Sequence, residues 1–347
     1  MSTRRVGGDR GIYARTLDYA RNPADLVEAF QRRACNLGSL AVQKYLLGRR
    51  YVERPINGYR LVLDADDPGI SRQLFHFGRR EAEQKLIVEQ MLKPGMTALD
   101  IGANIGYFTV MMARIVGSFG RVYAVEPHPG NFELLRTNVA RNGVADRTEV
   151  QELAIARASV RQRLLLSHHS NWHSLFRPAL NACLPWHEKY RRRVVGEVDV
   201  EARTLGDYLR GKRPIDFLHM DVEGYEVEIL RSLAELADEG SGRLSVLFET
   251  HPEFYDRHYN DIRPVLDELC SQYRYRIEYL VSDHHFGWRE YPEVEPAHAV
   301  FTRSGYGPRH IVRQLHSRAV YTGLKTWDAI ELIATREQVH AALLVPC

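Results

Sequence analysis

The sequence predicts an α/β domain built on a mostly parallel sheet, and three observations predict it. From about Glu81 onward, apolar strand-like segments alternate with helix-like ones; the turn "LDIGANIGYF" joins the first of these strands to a helix; and an acid, Glu126, ends the second strand. Strands separated by helices pair in parallel and have both faces covered. The 347 residues suffice for a large core, and a net charge of +3 with 26% charged residues gives no strong bias toward nucleic acid. No apolar run reaches the ~18 residues of a membrane span. The start, "MSTRRVGGDR", carries charge but no apolar signal core, and the four cysteines form no C-x-x-C pair. Together these predict a cytoplasmic protein without a zinc knuckle or disulfide scaffold.

Residues 1–80 read as an N-terminal segment. Positions 22–47 carry helix-spaced apolar residues, and "YVERPINGYRLVLDA" reads as a hairpin turning at Asn57-Gly58. The main domain, 81–303, opens with the helix "REAEQKLIVEQML", which stops at Lys93-Pro94-Gly95. "MTALDI" is then a short buried strand, and "YFTVMMARIVG" a helix with Phe108, Met111, Met112 and Ile115 on one face. "RVYAVEP", "TEVQELAI", "IDFLHM" and "RLSVLFE" are further strands, interleaved with the helices "NFELLRTNVARNG" and "YEVEILRSLAEL". "YRIEYLV" and "HAVFTR" read as a closing antiparallel pair. The stretch 156–202, interrupted by Pro178 and Pro185, reads as an irregular insertion, either a lid or variable surface. Residues 304–347 form a C-terminal extension expected to add helices.

The glycine turn directs attention to a ligand. In open α/β sheets the first strand-to-helix turn lies against the bound molecule, and a helix start offers free N–H groups. The spacing G-A-N-I-G places Asn104 where a dinucleotide fingerprint needs its central glycine, so NAD is disfavoured. Glu126, twenty positions after Gly106, can accept from both hydroxyls of a ribose. Asp100, at the end of the first strand, can meet an ammonium. An adenosine joined to an amino acid without phosphates is S-adenosyl-L-methionine.

Three stretches, "MTALDIGANIGYFTVMMAR", "VYAVEPHPGNFELLRTNVARNG" and "IDFLHMDVEGYEVEILRSL", resemble the FkbM-type family of S-adenosylmethionine-dependent methyltransferases. The resemblance runs from about Glu81 to Arg303. It implies a Rossmann-like class I methyltransferase sheet and, in most members, O-methylation of a sugar or natural-product hydroxyl. It also implies a cofactor loop of Asp100, Gly102, Ala103, Asn104, Gly106, Tyr107, Phe108 and Thr109, with Glu126 and Pro127 on the ribose and adenine side and Glu81 in support. The chain departs from the pattern at His219, where the family often has lysine, and in "SNWHSL", where His173 joins Ser170 and Ser174.

Methyl transfer to a hydroxyl needs positioning and a group to take the proton. Asp221, Glu223, Glu249 and His251 follow the fourth and fifth strands and are the catalytic candidates, Asp221 lying beside the cofactor as well. The same four could hold a divalent ion, although no metal is assigned. The competing functions are N-methylation of nucleic acid or a small molecule, and a non-catalytic partner that keeps the fold. The first usually shows an Asn/Asp-Pro-Pro-aromatic loop where this chain has "MDVEGYE"; the second would be expected to lose Glu126 or the loop glycines, and neither is lost.

Overall fold

The computed structural model describes residues 34–176, 194–238, 244–282, 295–301, 317–322, 325–335 and 339–346. Strands β1 (Tyr51–Ile56) and β2 (Tyr59–Asp64) form a hairpin, followed by α1 (Ile70–Phe77) and α2 (Ala82–Met91). Then come β3 (Thr97–Ile101), α3 (Tyr107–Val116), β4 (Arg121–Val125), α4 (Pro129–Arg141) and β5 (Thr148–Gln151). Four strands occupy the next region: β6 (Ala154–Ile155), β7 (Gln162–Ser167), β8 (Val194–Val200) and β9 (Ala202–Arg203). The chain continues through α5 (Leu205–Leu209), β10 (Phe217–Met220), α6 (Glu226–Asp238), β11 (Ser245–Glu249), α7 (Arg263–Ser271) and β12 (Tyr275–Ser282). It ends with β13 (Glu295–Phe301), β14 (Ser317–Thr322), α8 (Thr326–Thr335) and β15 (Val339–Pro346).

The main sheet has the order β13-β14-β12-β15-β11-β10-β3-β4-β5. Strands β5, β4, β3, β10 and β11 are parallel, and β15 runs antiparallel between β11 and β12. Alternate residues serve opposite faces, as the period of a strand requires. Leu99, Ile101, Tyr123 and Val125 pack with α5, α6, α7 and α8, whereas Ala98, Val122 and Ala124 pack with α2, α3, α4 and the hairpin. Chain order reverses between β3 and β10, so the crevice beyond their carboxyl ends is where such a sheet takes a ligand.

The closing pair differs from the expectation. β12 pairs with β15, and the 295–301 strand reaches β12 only through β14. The sheet therefore does not end at 303, and its penultimate core strand comes from the supposed C-terminal extension. "VHAALLVP" is buried on both faces and reads as a continuous apolar run, which periodicity cannot tell from a helix. Among the described residues that extension supplies one helix, α8, packed beneath it.

The N-terminal hairpin is likewise part of the main core. Val52, Ile56, Leu61 and Leu63 are buried with the residues of α2, α3 and α4. Asn138 of α4 locks it in place: its Oδ1 accepts from Val62 N–H at 2.6 Å, and its Nδ2 donates to the carbonyls of Val62 and Ile105. Residues 34–41 are helical, and the preceding part of the 22–47 expectation lies outside the described residues. The 156–202 insertion is more regular than expected, because β7 and β8 pair as an antiparallel hairpin and β6 pairs in parallel with β9.

Candidate functional site

The crevice beyond β3, β4 and β10 holds a cavity lined by Gly102, Asn104, Glu126, Pro127, Asn131, Asp221 and Glu223, with Leu153, Ile155, Leu164 and Leu175 as apolar wall. Ser170, Asn171 and His173, from the end of β7, complete the wall, so the insertion serves this site. Among the described residues the lining has three acids and neither lysine nor arginine. Such a surface suits a cation and hydroxyl donors and disfavours a pyrophosphate.

The turn itself is built differently from the expectation of free N–H groups. Gly102 and Ala103 both donate to the Val125 carbonyl, at 3.1 and 3.0 Å, and Gly106 donates to Ala103. Asn104 N–H goes to Glu126 Oε2 at 2.9 Å, and Ile105 N–H to Asn104 Oδ1 at 2.9 Å. The first donors of the turn are thus spent on β4 and on the turn itself. The bare backbone also has a packing role. At Gly102, with φ +78°, a Cβ would lie 2.0 Å from the Asp221 carbonyl oxygen, and at Gly106, φ +88°, it would meet Leu135 at 2.9 Å. The glycines let the turn lie against β10's end and α4.

Glu126 is 4% exposed, and its carboxylate is oriented by three donors: Asn104 N–H, His128 N–H at 2.9 Å and Asn131 Nδ2 at 3.5 Å. Burial pushes its carboxyl up to about 7, against the opposing pull of these hydrogen bonds. Ser170 closes over it, its carbonyl accepting from Asn104 Nδ2 at 3.1 Å and Asn131 Nδ2 at 2.9 Å. Asp67 fixes Ser170 in turn, through Oγ at 2.8 Å and N–H at 3.2 Å.

Several predicted cofactor residues stand behind the cavity instead of lining it. Asp100 is fully buried and accepts from Thr109 Oγ1, while its other oxygen lies 2.8 Å from His219 Nδ1. It anchors the base of the turn, because both its oxygens are engaged by α3 and β10. Phe108 packs on the His219 ring at 4.2 Å, and Ala103 is 5% exposed. Tyr107 turns toward the N-terminal segment: its hydroxyl donates to the Arg80 carbonyl at 2.6 Å and accepts from Asn57 Nδ2 at 2.9 Å. Glu81, with φ +45°, sits at the start of α2 and forms an ion pair with Arg80.

The second rim lies at the ends of β10 and β11. His251 Nε2 is 3.9 Å from Asp221 Oδ1 and 3.5 Å from Glu223 Oε2, while its Nδ1 is 2.7 Å from Glu226 Oε1. Arg80 Nη2 approaches Asp221 Oδ2 at 3.7 Å and Glu249 Oε2 at 3.9 Å. Burial first, then the charges of Glu249 and Glu223, hold Asp221 well above the usual carboxylate range. Burial pushes Glu223 up to about 8, with His251 pulling it the other way. Burial opposes charge on His251, but Glu223 and Glu226 more than offset it and hold the imidazole well above its ordinary value. Acids held close together keep protons near neutrality, the condition for proton exchange with a substrate. Asp221, Glu249 and His251 also offer ligand atoms within 4.8 Å of one another, a set that could accept a divalent ion.

Sequence reasoning missed three contributors here. Glu226, the last residue of "DVEGYE", is fully buried and orients His251. Asn131 and Arg80 carried no pattern of their own, since an asparagine in a helix start and one arginine of a pair are common on surfaces.

The chain is similar in sequence to known methyltransferases. A protein-L-isoaspartate O-methyltransferase of Hyperthermus butylicus is 41% identical over 66 residues, covering 17% of this chain and 27% of the relative. Methyltransferase sdnD of Sordaria araneosa is 29% identical over 163 residues, 40% of this chain and 60% of the relative. The chain thus spans between about a quarter and three-fifths of these curated relatives. Among solved structures, TYW2 of M. jannaschii in complex with AdoMet matches 86% of this chain and 88% of its own, with 14% identity and a TM-score of 0.38. The model of the methyltransferase FkbM domain matches residues 100–277, just over half of the chain, from the acid that anchors the turn to the start of β12. The chain belongs to the FkbM family of S-adenosyl-L-methionine-dependent methyltransferases.

Proposed function

We propose that the chain is an O-methyltransferase that acts on a hydroxyl of a sugar, glycan or natural product. The observation that carries this reading is that Asp221 and Glu223 line the same cavity as Glu126, with His251 3.9 and 3.5 Å behind them. S-adenosyl-L-methionine supplies an electrophilic methyl group when bound. Glu126 would hold its ribose and Pro127 its adenine side, with Gly102, Asn104 and Asp221 along the remaining edge. Asp221 or Glu223 would orient the acceptor O–H and take its proton as the oxygen attacks. His251, held by Glu226, would balance the charge of that carboxylate before the proton arrives.

An acid-lined site favours hydroxyl donors over the phosphates of a nucleic acid, which weighs against N-methylation of nucleic acid. The name of the Hyperthermus relative, an O-methyltransferase, is consistent with oxygen as acceptor. Among the described residues no helix is long and apolar enough to cross a membrane. The test is a screen of sugar, phenol and amine acceptors with S-adenosyl-L-methionine, followed by formation of S-adenosylhomocysteine. Methylated hydroxyls support the reading; methylated amines alone overturn it.

One observation favours a second reading of the same rim. The Asp221, Glu249 and His251 ligand set could hold a divalent ion, which would ease loss of the acceptor's proton by lowering the pKa of a bound hydroxyl. Loss of turnover in EDTA, restored by Mg²⁺, would assign these residues to a metal; full turnover in EDTA would leave them as acid and base.

A further inference from the structure

Arg80 lies outside every motif of the family pattern read above, in the short link between α1 and α2. Its position is fixed from two directions. Its backbone N–H donates to the Tyr107 hydroxyl at 3.2 Å, and its carbonyl accepts from that hydroxyl at 2.6 Å. Its side chain is 11% exposed, donates from Nη1 to Gln73 Oε1 at 2.9 Å, and pairs with Glu81. The left-handed backbone of Glu81, at φ +45°, turns the chain into α2 directly after it. A glutamate holds that conformation only when its surroundings impose it.

The guanidinium then points at Asp221 and Glu249, 3.7 and 3.9 Å away, and is absent from the lining of the cofactor cavity. Among the described residues, Asp221 has two partners of opposite charge, Arg80 and His251. Burial opposes charge on Arg80, but Glu81, Glu249, Asp221 and Glu223 outweigh it and hold the guanidinium above the usual arginine value. We propose that Arg80 is a positioning residue, fixing the Asp221 and Glu249 carboxylates and balancing their charge, so that the N-terminal segment completes the acceptor rim. The proposal rests on that rim being where the acceptor's proton is handled.

The test compares wild type, Arg80→Gln and Arg80→Lys, without an acceptor. Calorimetry with S-adenosylhomocysteine reports the cofactor cavity. Proton NMR of the His251 ring between neutral and alkaline pH, in EDTA so that no ion occupies the rim, reports the rim, where His251 faces Asp221, Glu223, Glu226, Glu249 and Tyr255. Removing the cation leaves those acids less compensated, so His251 in Arg80→Gln should keep its proton to a pH higher by about one unit. Arg80→Lys should restore most of the wild-type titration, and S-adenosylhomocysteine affinity should be unchanged in both. A folded Arg80→Gln protein with an unmoved His251 titration would overturn the proposal. Failure of wild type to bind S-adenosylhomocysteine would instead overturn the cofactor reading and leave the His251 result to judge Arg80. Nitrogen NMR of wild type gives a measurement that needs no variant to fold: resolved Arg80 Nη signals are expected from blocked rotation, and one averaged signal contradicts the ion pairs.

Discussion

The two rims of the cavity treat their acids in opposite ways. At the end of β4, Glu126 meets two backbone N–H groups and the Asn131 amide, and the buried Asp100 adds only a minor like-charge influence. At the ends of β10 and β11, Asp221, Glu223 and Glu249 repel one another, and Asp221 Oδ1 is buried without a hydrogen-bond partner among the described residues. A carboxylate held by neutral donors keeps a fixed direction, which is what binding a ribose requires. Carboxylates crowded together have poorly satisfied charge and raised proton affinity, which is what proton transfer requires. Under the proposed function, recognition belongs to one rim and reactivity to the other.

The largest effect should come from a change that breaks both rims together. Gly102→Val places a branched side chain against the Asp221 carbonyl, at a φ that L residues rarely adopt. Both the turn and the end of β10 must move, so S-adenosylhomocysteine binding should be lost and the thermal midpoint should fall. Calorimetry and a melting curve check this; unchanged binding would mean that the contact is easily relieved.

Asp221→Asn keeps the shape of the reactive rim and removes most of its basicity. With an acceptor in hand, the maximal rate should fall by about 10²–10⁴, the usual worth of general-base assistance, while cofactor affinity changes little. Glu249→Gln and His251→Ala are parallel probes of the same rim. Near-wild-type turnover in all three would move the chemistry elsewhere.

Glu126→Gln tests the recognition rim. Loss of charge-assisted bonds to two ribose hydroxyls should weaken the cofactor by about 1.5–3 kcal/mol, or roughly ten- to a hundredfold. The pH dependence is smaller. With its carboxyl raised to about 7, Glu126 binds its proton more tightly in the folded chain than in the unfolded one. Its contribution to the stability of the empty protein is therefore present at low pH and lost as pH rises through about 7. Cofactor binding runs the other way, because hydroxyl donors select the ionised form. S-adenosylhomocysteine affinity should climb toward pH 7, by at most about tenfold per unit, and level off above it. Glu126→Gln should flatten that rise, and a rise that survives in the variant would assign it to another group.

Much of this was legible before the structure. The alternation of strands and helices gave the parallel half of the sheet, and G-A-N-I-G with Glu126 pointed to the cofactor end. Residues adjacent in sequence to a strand end are placed by the sheet itself, which is why Asp221 and Glu249 could be found. Partners that arrive from elsewhere in the chain could not. β15 was hidden because a buried central strand lacks alternation, and Arg80 because its role depends on a segment folding back by way of Tyr107. For the same reason the sequence did not show the partners of Asp100 and Tyr107, whose polar atoms are engaged by Thr109, His219, Arg80 and Asn57.

The division of labour between the rims is tested most directly by one calorimetric comparison. S-adenosylhomocysteine is titrated at pH 8 into wild type, Glu126→Gln and Asp221→Asn, with NAD as the control ligand. Tight binding to wild type, loss of at least about tenfold in Glu126→Gln, near-wild-type binding in Asp221→Asn and no response to NAD are the predicted results. Equal binding in Glu126→Gln and wild type, or a loss confined to Asp221→Asn, would contradict the assignment of recognition to Glu126 and reactivity to Asp221.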